Sequence, residues 1–181
     1  MLVSVDGYFE GPNHDISWHM VDDEFDRLAI EQLKQMGTLL LGRKTYQLFE
    51  GFWPNAKNDP SMSKEDREIG RMLDEMPKIA FSRQGLTTTW QNTRVVSDHS
   101  KEEVTKLKEQ PGKDIIIFGS NNLCVSLMGD GLIDEFRIMV NPIALGKGSS
   151  LFTGLQDKLN LKLASTREFM NGNILLTYQP R

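Results

Sequence analysis

DIIIFGSNNLCVSLMGDGLIDEFRIMVNPIALGKGSSLF, residues 114–152, is the stretch on which the fold prediction depends. The apolar run from Ile115 to Phe118 predicts a buried strand, and Gly119-Ser120-Asn121-Asn122 interrupts it. A short helical segment from Leu123 to Met128 follows, and a second strand begins near Ile133. This order of strand, turn, helix and strand is typical of an α/β protein.

The glycine turn in this stretch has two interpretations. A strand-to-helix turn presents backbone N–H groups at a helix N-terminus, where the helix dipole also favours an anion. Gly119 has no Cβ, so the chain could come close to a bound group there. The alternative is an ordinary turn without a ligand, because single glycine turns are common. The rest of the chain must decide between them.

Length and composition narrow the class of protein. The chain has 181 residues, which predicts one domain spanning 1–181, with 39% hydrophobic and 25% charged residues. The net charge is −4 without a basic block, so we expect no nucleic-acid partner. No apolar run approaches the ~20 residues that span a bilayer, and nothing resembles a signal peptide. We therefore expect a cytoplasmic protein without a membrane partner.

Cysteine and histidine content bears on redox and metal chemistry. Cys124 is the single cysteine, so an intrachain disulfide is excluded, and its apolar surroundings favour a packing role over a nucleophile. His14, His19 and His99 are scattered along the chain. Because no metal-ligand spacing is present, we expect no metal site.

Periodicity along the chain predicts about eight strands and four or five helices. The helix after Asp22 or Asp23 should end at Gly37, and residues 51–61 read as a loop. Asn171-Gly172 between two strand-like segments predicts a C-terminal antiparallel hairpin. The strands are predicted at 2–5, 38–41, 78–81, 93–96, 115–118, 133–140, 161–169 and 174–178.

Three predicted strands end in a polar or basic turn. These turns are Gly42-Arg43-Lys44-Thr45, Ser82-Arg83 and Gly119-Ser120-Asn121-Asn122. Ligands of open α/β sheets bind at the carboxyl ends of the strands. Three such turns at one edge could hold separated phosphates, as in NADPH, although each alone could be a solvated turn.

Several motifs, in this order, resemble the dihydrofolate reductase-like superfamily, and most closely the branch with the reductase domain of riboflavin biosynthesis. The resemblance covers nearly the whole chain. The motifs are SVDG at 4–7, LLLGRKTY at 39–46, GLIDE at 131–135, Pro142, LGKG at 145–148 and LF at 151–152.

The resemblance implies an α/β fold with a mainly parallel eight-stranded sheet flanked by helices. It also implies a homodimer that binds NADPH and reduces a small heterocyclic or phosphoribosyl substrate. The implied activity is similar to that of 5-amino-6-(5-phosphoribosylamino)uracil reductase. Two other functions remain open: dihydrofolate reductase in the strict sense, and a nucleotide-binding protein of this fold without catalysis.

Site residues follow from the same resemblance. Beside Gly42, Arg43 and Lys44 would meet the adenosine 2′-phosphate of NADPH, and Thr45 the pyrophosphate. The second side of the adenosine site would be Ser82 and Arg83, while Gly119, Ser120, Asn121 and Asn122 would cradle the pyrophosphate. Asp6 and Trp18 would face the nicotinamide and the substrate.

The sequence departs from the branch at Ser120, because the riboflavin enzymes usually carry a second glycine there. We expect serine to cost little, provided that its backbone avoids the left-handed region.

The proton donor has several candidates. Reduction of a C=N or C=O bond needs a proton as well as a hydride. Asp22, Asp23 and Glu24 follow Trp18 in a layout similar to dihydrofolate reductases, and Asp23 is the candidate acid among them. Acids in a first helical turn also serve as caps, which we favour for at least two of the three. Asp6 is the other candidate, or else a turn former. The prolines that surround the tryptophan in dihydrofolate reductase are absent, which argues against folate.

Overall fold

Ten strands and five α-helices make up the computed structural model, which describes residues 1–181 throughout. The strands are β1 Leu2–Ser4, β2 Tyr8–Glu10, β3 Met36–Gly42, β4 Lys78–Phe81, β5 Thr93–Val96, β6 Asp114–Ile117, β7 Phe136–Asn141, β8 Ser149–Ser150, β9 Leu161–Glu168 and β10 Ile174–Pro180. The helices are α1 Asp23–Gln35, α2 Arg43–Ala56, α3 Lys64–Glu75, α4 Ser100–Lys108 and α5 Asn121–Gly129. None of the helices is long and apolar enough to cross a membrane.

The chain divides into two compact units. The first unit joins Met1–Glu24 to Cys124–Arg181, and the second is the continuous segment Phe25–Leu123. The prediction of one domain over 1–181 stays a prediction, because a division into compact units does not by itself define domains.

The second unit is built on a four-stranded sheet in the order β5-β4-β3-β6, in which every pair is parallel. Leu39, Leu40 and Leu41 of β3 are at most 1% exposed, as expected for a strand covered on both faces. Residues of α1, α2 and α3 pack with this strand in one hydrophobic core. The apolar stripes of the helices therefore supply the cover of the sheet.

The first unit contains a mixed sheet in the order β1-β7-β10-β9. Strands β1 and β7 are parallel, and β10 pairs antiparallel with both β7 and β9. The last pair is the hairpin predicted around Asn171-Gly172, and Gly172 has a φ of +90°, which glycine adopts without strain. A separate short pair joins β2 to β8.

The α/β prediction and the C-terminal hairpin are confirmed, but the count of eight strands is wrong. Two four-stranded sheets and one two-stranded pair are present. Strands β2 and β8 have three and two residues. Segments that short contain no measurable alternation, so the sequence pattern could not reveal them.

Two helix boundaries also differ from the prediction. Gly37 does not end α1; it lies inside β3, and α1 stops at Gln35. The predicted loop at 51–61 begins instead with the continuation of α2, which includes Pro54 and ends at Ala56. Phe49 and Trp53 pack against the hydrophobic core, so burial extends this helix past the point where local breakers predicted its end.

Candidate functional site

The three polar turns of the second unit lie at one edge of its sheet. Gly42 at the end of β3 pairs in register with Phe81 of β4, and Leu40 pairs with Ile117 of β6. All these strands are parallel, so their carboxyl ends coincide. The edge therefore carries Ser82-Arg83, then the turn at Gly42, then the turn at Gly119, as the sequence predicted.

The central turn opens directly into α2. Gly42 is the N-cap residue and offers no side chain to the helix, and the first turn contains no acidic residue. Arg43 and Lys44 are the first two helical residues; Arg43 is half-buried and Lys44 is exposed. Two cations thus stand at the positive end of the helix dipole, which makes this terminus attractive to an anion.

Ser120 connects the central turn to the glycine turn. Its Oγ accepts a hydrogen bond from the Gly42 N–H at 2.7 Å and donates one to the Thr45 Oγ1 at 2.9 Å. The two side chains that the sequence placed on separate turns are therefore joined. A Cβ on Gly42 would lie 3.1 Å from the Ser120 Oγ, so the serine also fills the space that glycine leaves.

The backbone of Ser120 was expected to avoid the left-handed region, but its φ of +61° lies inside that region. Gly119 has a φ of +60°, so two consecutive residues take this conformation. For a residue with a Cβ this costs about 1–2 kcal/mol, and a typical hydrogen bond contributes about 1 kcal/mol. The two bonds of the Ser120 hydroxyl are of the size needed to offset the backbone cost.

The third turn is held by its own serine. Ser82 is buried, its hydroxyl donates to the Gly85 carbonyl at 2.9 Å, and its N–H donates to the Val96 carbonyl at 3.0 Å. Arg83 is exposed. The geometry thus gives Ser82 the role of shaping the turn, and Arg83 is the side chain that can reach a ligand in solvent.

In the first unit, Asp6 connects two of the sequence motifs. Its carboxylate accepts hydrogen bonds from the Ser4 hydroxyl at 2.6 Å, the Gly146 N–H at 2.7 Å and the Leu145 N–H at 3.1 Å. These bonds, that of Ser4 first, lower the pKa of Asp6 to about 2. The geometry favours the turn-forming interpretation and counts against Asp6 as a proton donor at neutral pH.

Trp18 lies in the loop before α1 and is half-buried. Its Nε1 donates to the Asp15 carbonyl at 3.0 Å, and its ring meets the His19 ring edge-on, with centroids 4.4 Å apart. Burial lowers the pKa of His19, which keeps that ring neutral near pH 7. The tryptophan is therefore held by its own loop.

Two buried asparagines, which the sequence analysis did not single out, fix the end of that loop. The Met20 N–H donates to the Asn141 Oδ1 at 2.9 Å, and the Asn173 Nδ2 donates to the Met20 carbonyl at 2.8 Å. Both asparagines are fully buried. Asn141 is the last residue of β7 and Asn173 lies between the hairpin turn and β10, so neither interrupts an apolar strand and no local pattern distinguished them.

The three acids at the start of α1 have different roles. The Asp22 Oδ1 accepts from the Glu24 N–H at 3.0 Å, as a helix cap does. Glu24 instead accepts from the Met170 N–H at 3.1 Å, in the turn of the hairpin. Asp23 is the first residue of α1 and is exposed. Capping is thus confirmed for Asp22, Glu24 is a structural contact, and Asp23 stays a candidate.

The remaining titratable groups add little chemistry to the site. Burial raises the pKa of the Cys124 thiol to about 11, which fits the predicted packing role. No group of three or more His, Cys, Asp or Glu side chains is placed to hold a metal ion. The edge of the second unit therefore combines cationic side chains with a helix N-terminus, an arrangement suited to a polyanion. In the first unit, Asp6 and Trp18 are engaged in structural hydrogen bonds, and Asp23 is exposed.

A curated relative shares much of this sequence. The chain is 34% identical over 179 residues to the uncharacterised protein YyaP of Bacillus subtilis (strain 168). The match covers 98% of this chain and 91% of that protein.

Solved structures share the fold at low sequence identity. A putative riboflavin biosynthesis protein from Shewanella sp. PV-4 matches with a TM-score of 0.73 and 19% identity, over 100% of this chain and 96% of that one. A second match is a diaminohydroxyphosphoribosylaminopyrimidine deaminase/5-amino-6-(5-phosphoribosylamino)uracil reductase from Thermotoga maritima, with a TM-score of 0.70 and 16% identity. It covers 99% of this chain and 55% of that one. Dihydrofolate reductase from Enterococcus faecalis, complexed with NADP(H) and RAB-propyl, matches with a TM-score of 0.63 and 16% identity. That match covers 99% of this chain and 93% of the dihydrofolate reductase chain.

The fold is therefore dihydrofolate reductase-like, as the motifs of the sequence indicated. A family model described as the RibD C-terminal domain matches residues 1–175, which is nearly the whole chain. The chain belongs to the RibD C-terminal domain family.

Proposed function

We propose that this protein is an NADPH-dependent reductase that transfers a hydride to a small heterocyclic or phosphoribosyl substrate. The activity would be similar to that of 5-amino-6-(5-phosphoribosylamino)uracil reductase, which the Thermotoga maritima neighbour is named for. The observation that carries the proposal is the convergence of three polar turns on the carboxyl edge of the parallel sheet. Membership of the RibD C-terminal domain family supports it.

The residues at that edge fit a phosphorylated dinucleotide. Arg43 offers a planar guanidinium that can bind a phosphate through two parallel hydrogen bonds, and Lys44 adds a second cation. Arg83 stands exposed on the neighbouring turn. The two helix N-termini, of α2 and α5, would receive the pyrophosphate. A 2′-phosphate held by Arg43 and Lys44 would distinguish NADPH from NADH.

The proton for the reaction would come from water or from Asp23, the acid that remains a candidate. NADPH, when bound, supplies the hydride. Asp6 accepts three hydrogen bonds that favour its ionised form, and its pKa of about 2 leaves it without a proton at pH 7. In this proposal Asp6 shapes the loop at 142–148, and Trp18 contacts the substrate.

Removing the Arg43 guanidinium tests the cofactor assignment. We expect Arg43→Ala to weaken NADPH binding about 10- to 100-fold, because a hydrogen bond to a charged group contributes about 1.5–3 kcal/mol. NADH binding should change little. The measurement is a fluorescence titration with each cofactor.

Arg71→Ala is the matched control, since Arg71 is exposed on α3, away from the edge of the sheet. Equal loss of NADPH and NADH affinity in Arg43→Ala, or an equal effect in Arg71→Ala, would contradict the assignment of the 2′-phosphate.

Substrate class is tested by following NADPH oxidation with dihydrofolate, ribosylaminopyrimidine precursors and simple carbonyl compounds. The proposal expects turnover with the pyrimidine precursors. Turnover of dihydrofolate that methotrexate inhibits would instead identify a dihydrofolate reductase in the strict sense.

A nucleotide-binding protein without catalysis is the second candidate. The observation in its favour is Asp6, whose three hydrogen bonds remove it from the candidate acids. NADPH binding without oxidation of NADPH by any compound of the screen would favour this function.

We also propose a homodimer, on the basis of the family resemblance. Light scattering on the purified protein measures its mass directly, and a mass near the 20.6 kDa of one chain would refute the dimer.

A further inference from the structure

The hydroxyl of Ser120 joins two of the three turns, and its hydrogen bonds have a direction. The Gly42 N–H can only donate, so the Ser120 Oγ is the acceptor in that bond. Ser120 has a single hydroxyl hydrogen to donate in return. The Thr45 Oγ1 lies 2.9 Å from its Oγ and the Phe118 carbonyl lies 3.5 Å away, so the bond to Thr45 is the one with normal geometry.

This direction decides what Thr45 can do. Because the Thr45 Oγ1 accepts from Ser120, its own hydroxyl hydrogen points elsewhere and remains a donor. Thr45 is the third residue of α2, at the end of the helix where the dipole favours an anion. Bonds in such a chain polarise one another, so the Thr45 hydroxyl becomes a better donor than it would be alone.

We propose that Ser120 is a positioning residue for anion binding, which acts by orienting the Thr45 hydroxyl as a donor to a phosphate oxygen. Ser120 itself contacts Gly42 and Thr45, and the phosphate is bound by Thr45. This inference rests on the proposed function, since it takes the ligand of the edge to be the pyrophosphate of the cofactor.

Two further observations fit this role. Ser120 adopts a left-handed backbone, which a glycine would adopt without cost, and its hydroxyl forms two hydrogen bonds that a glycine could not form. The Ser120 side chain also consumes the Gly42 N–H, a group that could otherwise bind the anion directly. The turn thus exchanges a backbone donor for a directed hydroxyl donor.

A double-mutant cycle tests the proposal through binding. Calorimetric titrations with NADPH and with inorganic pyrophosphate would compare Ser120→Ala, Thr45→Val and the double variant with the natural protein. We expect Ser120→Ala and Thr45→Val each to weaken binding about three- to tenfold. The double variant should bind no worse than Thr45→Val, because Ser120 acts only through Thr45.

A purely structural serine would behave differently. Its loss would weaken binding by the same factor whether or not the Thr45 hydroxyl is present. A double variant whose loss of affinity equals the product of the two single losses would therefore overturn the proposal. Tighter binding by Ser120→Ala would also overturn it, since the Gly42 N–H would then be the better donor. Ser120→Gly, which removes the backbone strain, repeats the comparison if the alanine variant does not fold.

The two ligands separate failure of this inference from failure of the proposed function. If the Ser120 and Thr45 substitutions are coupled in pyrophosphate binding but the protein does not prefer NADPH over NADH, the role of Ser120 is retained. The assignment of NADPH as the cofactor is then refuted. A natural protein that binds neither ligand would refute both. NADPH binding with multiplying effects would retain the function and refute the role of Ser120.

Discussion

The carboxyl ends of the parallel strands are used in opposite ways in the two units. In the second unit, Arg43 and Lys44 follow the end of β3 and Arg83 follows the end of β4, and these cationic side chains are exposed or half-buried. In the first unit, the polar groups after β1 and at the end of β7 are consumed by internal bonds. Asp6 holds Leu145 and Gly146, and Asn141 holds Met20.

The second unit has a buried group of structural polar contacts at the opposite edge. Lys78 opens β4 and is 1% exposed; its Nζ donates to the carbonyls of Leu73 at 2.7 Å, Met76 at 2.8 Å and Asp74 at 3.1 Å. The ammonium therefore caps the C-terminal end of α3, and it lies 4.4 Å from the centroid of the Trp90 ring.

The Asp74 carboxylate completes this group. It accepts from the Trp90 Nε1 at 3.0 Å and from Lys57 and Gln91. Burial alone would raise the pKa of Asp74, but its hydrogen bonds, that of Lys57 first, hold the pKa below its usual value. The comparison teaches that buried polar contacts support the amino edge of this sheet, whereas its exposed and half-buried cations stand at the carboxyl edge.

The largest expected effect tests whether the loop at 142–148 is structural. Gly148 has a φ of +153°, and a Cβ there would lie far inside van der Waals contact of the Glu10 carbonyl oxygen. Glu10 belongs to β2, which pairs with β8 just after this loop. We expect Gly148→Ala to lower the free energy of unfolding by about 3–5 kcal/mol, measured by urea denaturation.

Gly146→Ala, in the same loop, is the matched control. Gly146 also has a positive φ, of +72°, but a Cβ there would meet nothing within 4 Å. The backbone strain alone should cost about 1 kcal/mol. Equal effects of the two substitutions would show that the contact with β2 is not rigid.

A smaller effect is expected from Lys78→Met in the second unit. The substitution keeps the volume of the buried stem but removes the donor from three carbonyl groups. Burial lowers the pKa of Lys78 to about 8, so the ammonium still dominates at pH 7. We expect a loss of about 2–3 kcal/mol in the free energy of unfolding.

Lys34→Met controls for the loss of a lysine, because Lys34 is exposed and forms only a surface ion pair with Glu68 at 3.7 Å. That change should stay within about 1 kcal/mol. If Lys78→Met were neutral, the amino edge would not be the structural edge that the comparison describes.

The smallest effect is the pH dependence that Asp6 contributes. The pKa of Asp6 is about 2 in the folded protein, whereas an unperturbed aspartate has a pKa of 3.8, so the folded state favours the ionised form. The stabilisation is complete above pH 3.8 and is lost as the pH falls towards 2. Asp6→Asn should therefore be less stable than the natural protein at pH 7, with the difference shrinking below pH 4 in thermal unfolding.

Asp23→Asn is the comparison for that series, since Asp23 is exposed at the start of α1. Its unfolding temperature should follow that of the natural protein at each pH. A difference between Asp6→Asn and the natural protein that persists unchanged at pH 2.5 would contradict the role of the ionised carboxylate.

The sequence predicted the α/β class, the parallel strands of the second unit and the C-terminal hairpin, because each depends on a local pattern. Leucine runs between glycine turns indicate buried strands, and Asn171-Gly172 indicates a tight turn. The N-terminus of α3 also follows a local pattern, because Ser63 precedes Asp66 by three residues and its hydroxyl accepts from the Asp66 N–H at 2.9 Å. The same local reasoning failed for α2, which burial of Phe49 and Trp53 extends through Pro54.

The candidate site was predictable as a set of turns but not as a set of contacts. The sequence placed Arg43, Thr45 and Ser120 at strand ends, and parallel pairing brings those ends together. It could not show that Ser120 donates to Thr45, across 75 positions of the chain. Nor could it show that Asn141 and Asn173 form hydrogen bonds with the backbone of Met20, because both bonds join distant segments.

The sequence by itself determined which residues can be strand, turn or helix, and which charges stand at the strand ends. These properties depend on neighbours along the chain, where side-chain period and turn chemistry act. Only the tertiary structure decided whether a polar group is available or consumed. The two backbone partners of Asp6 lie 139 and 140 positions away, and a hydrogen bond of that kind exists only after the strands have paired.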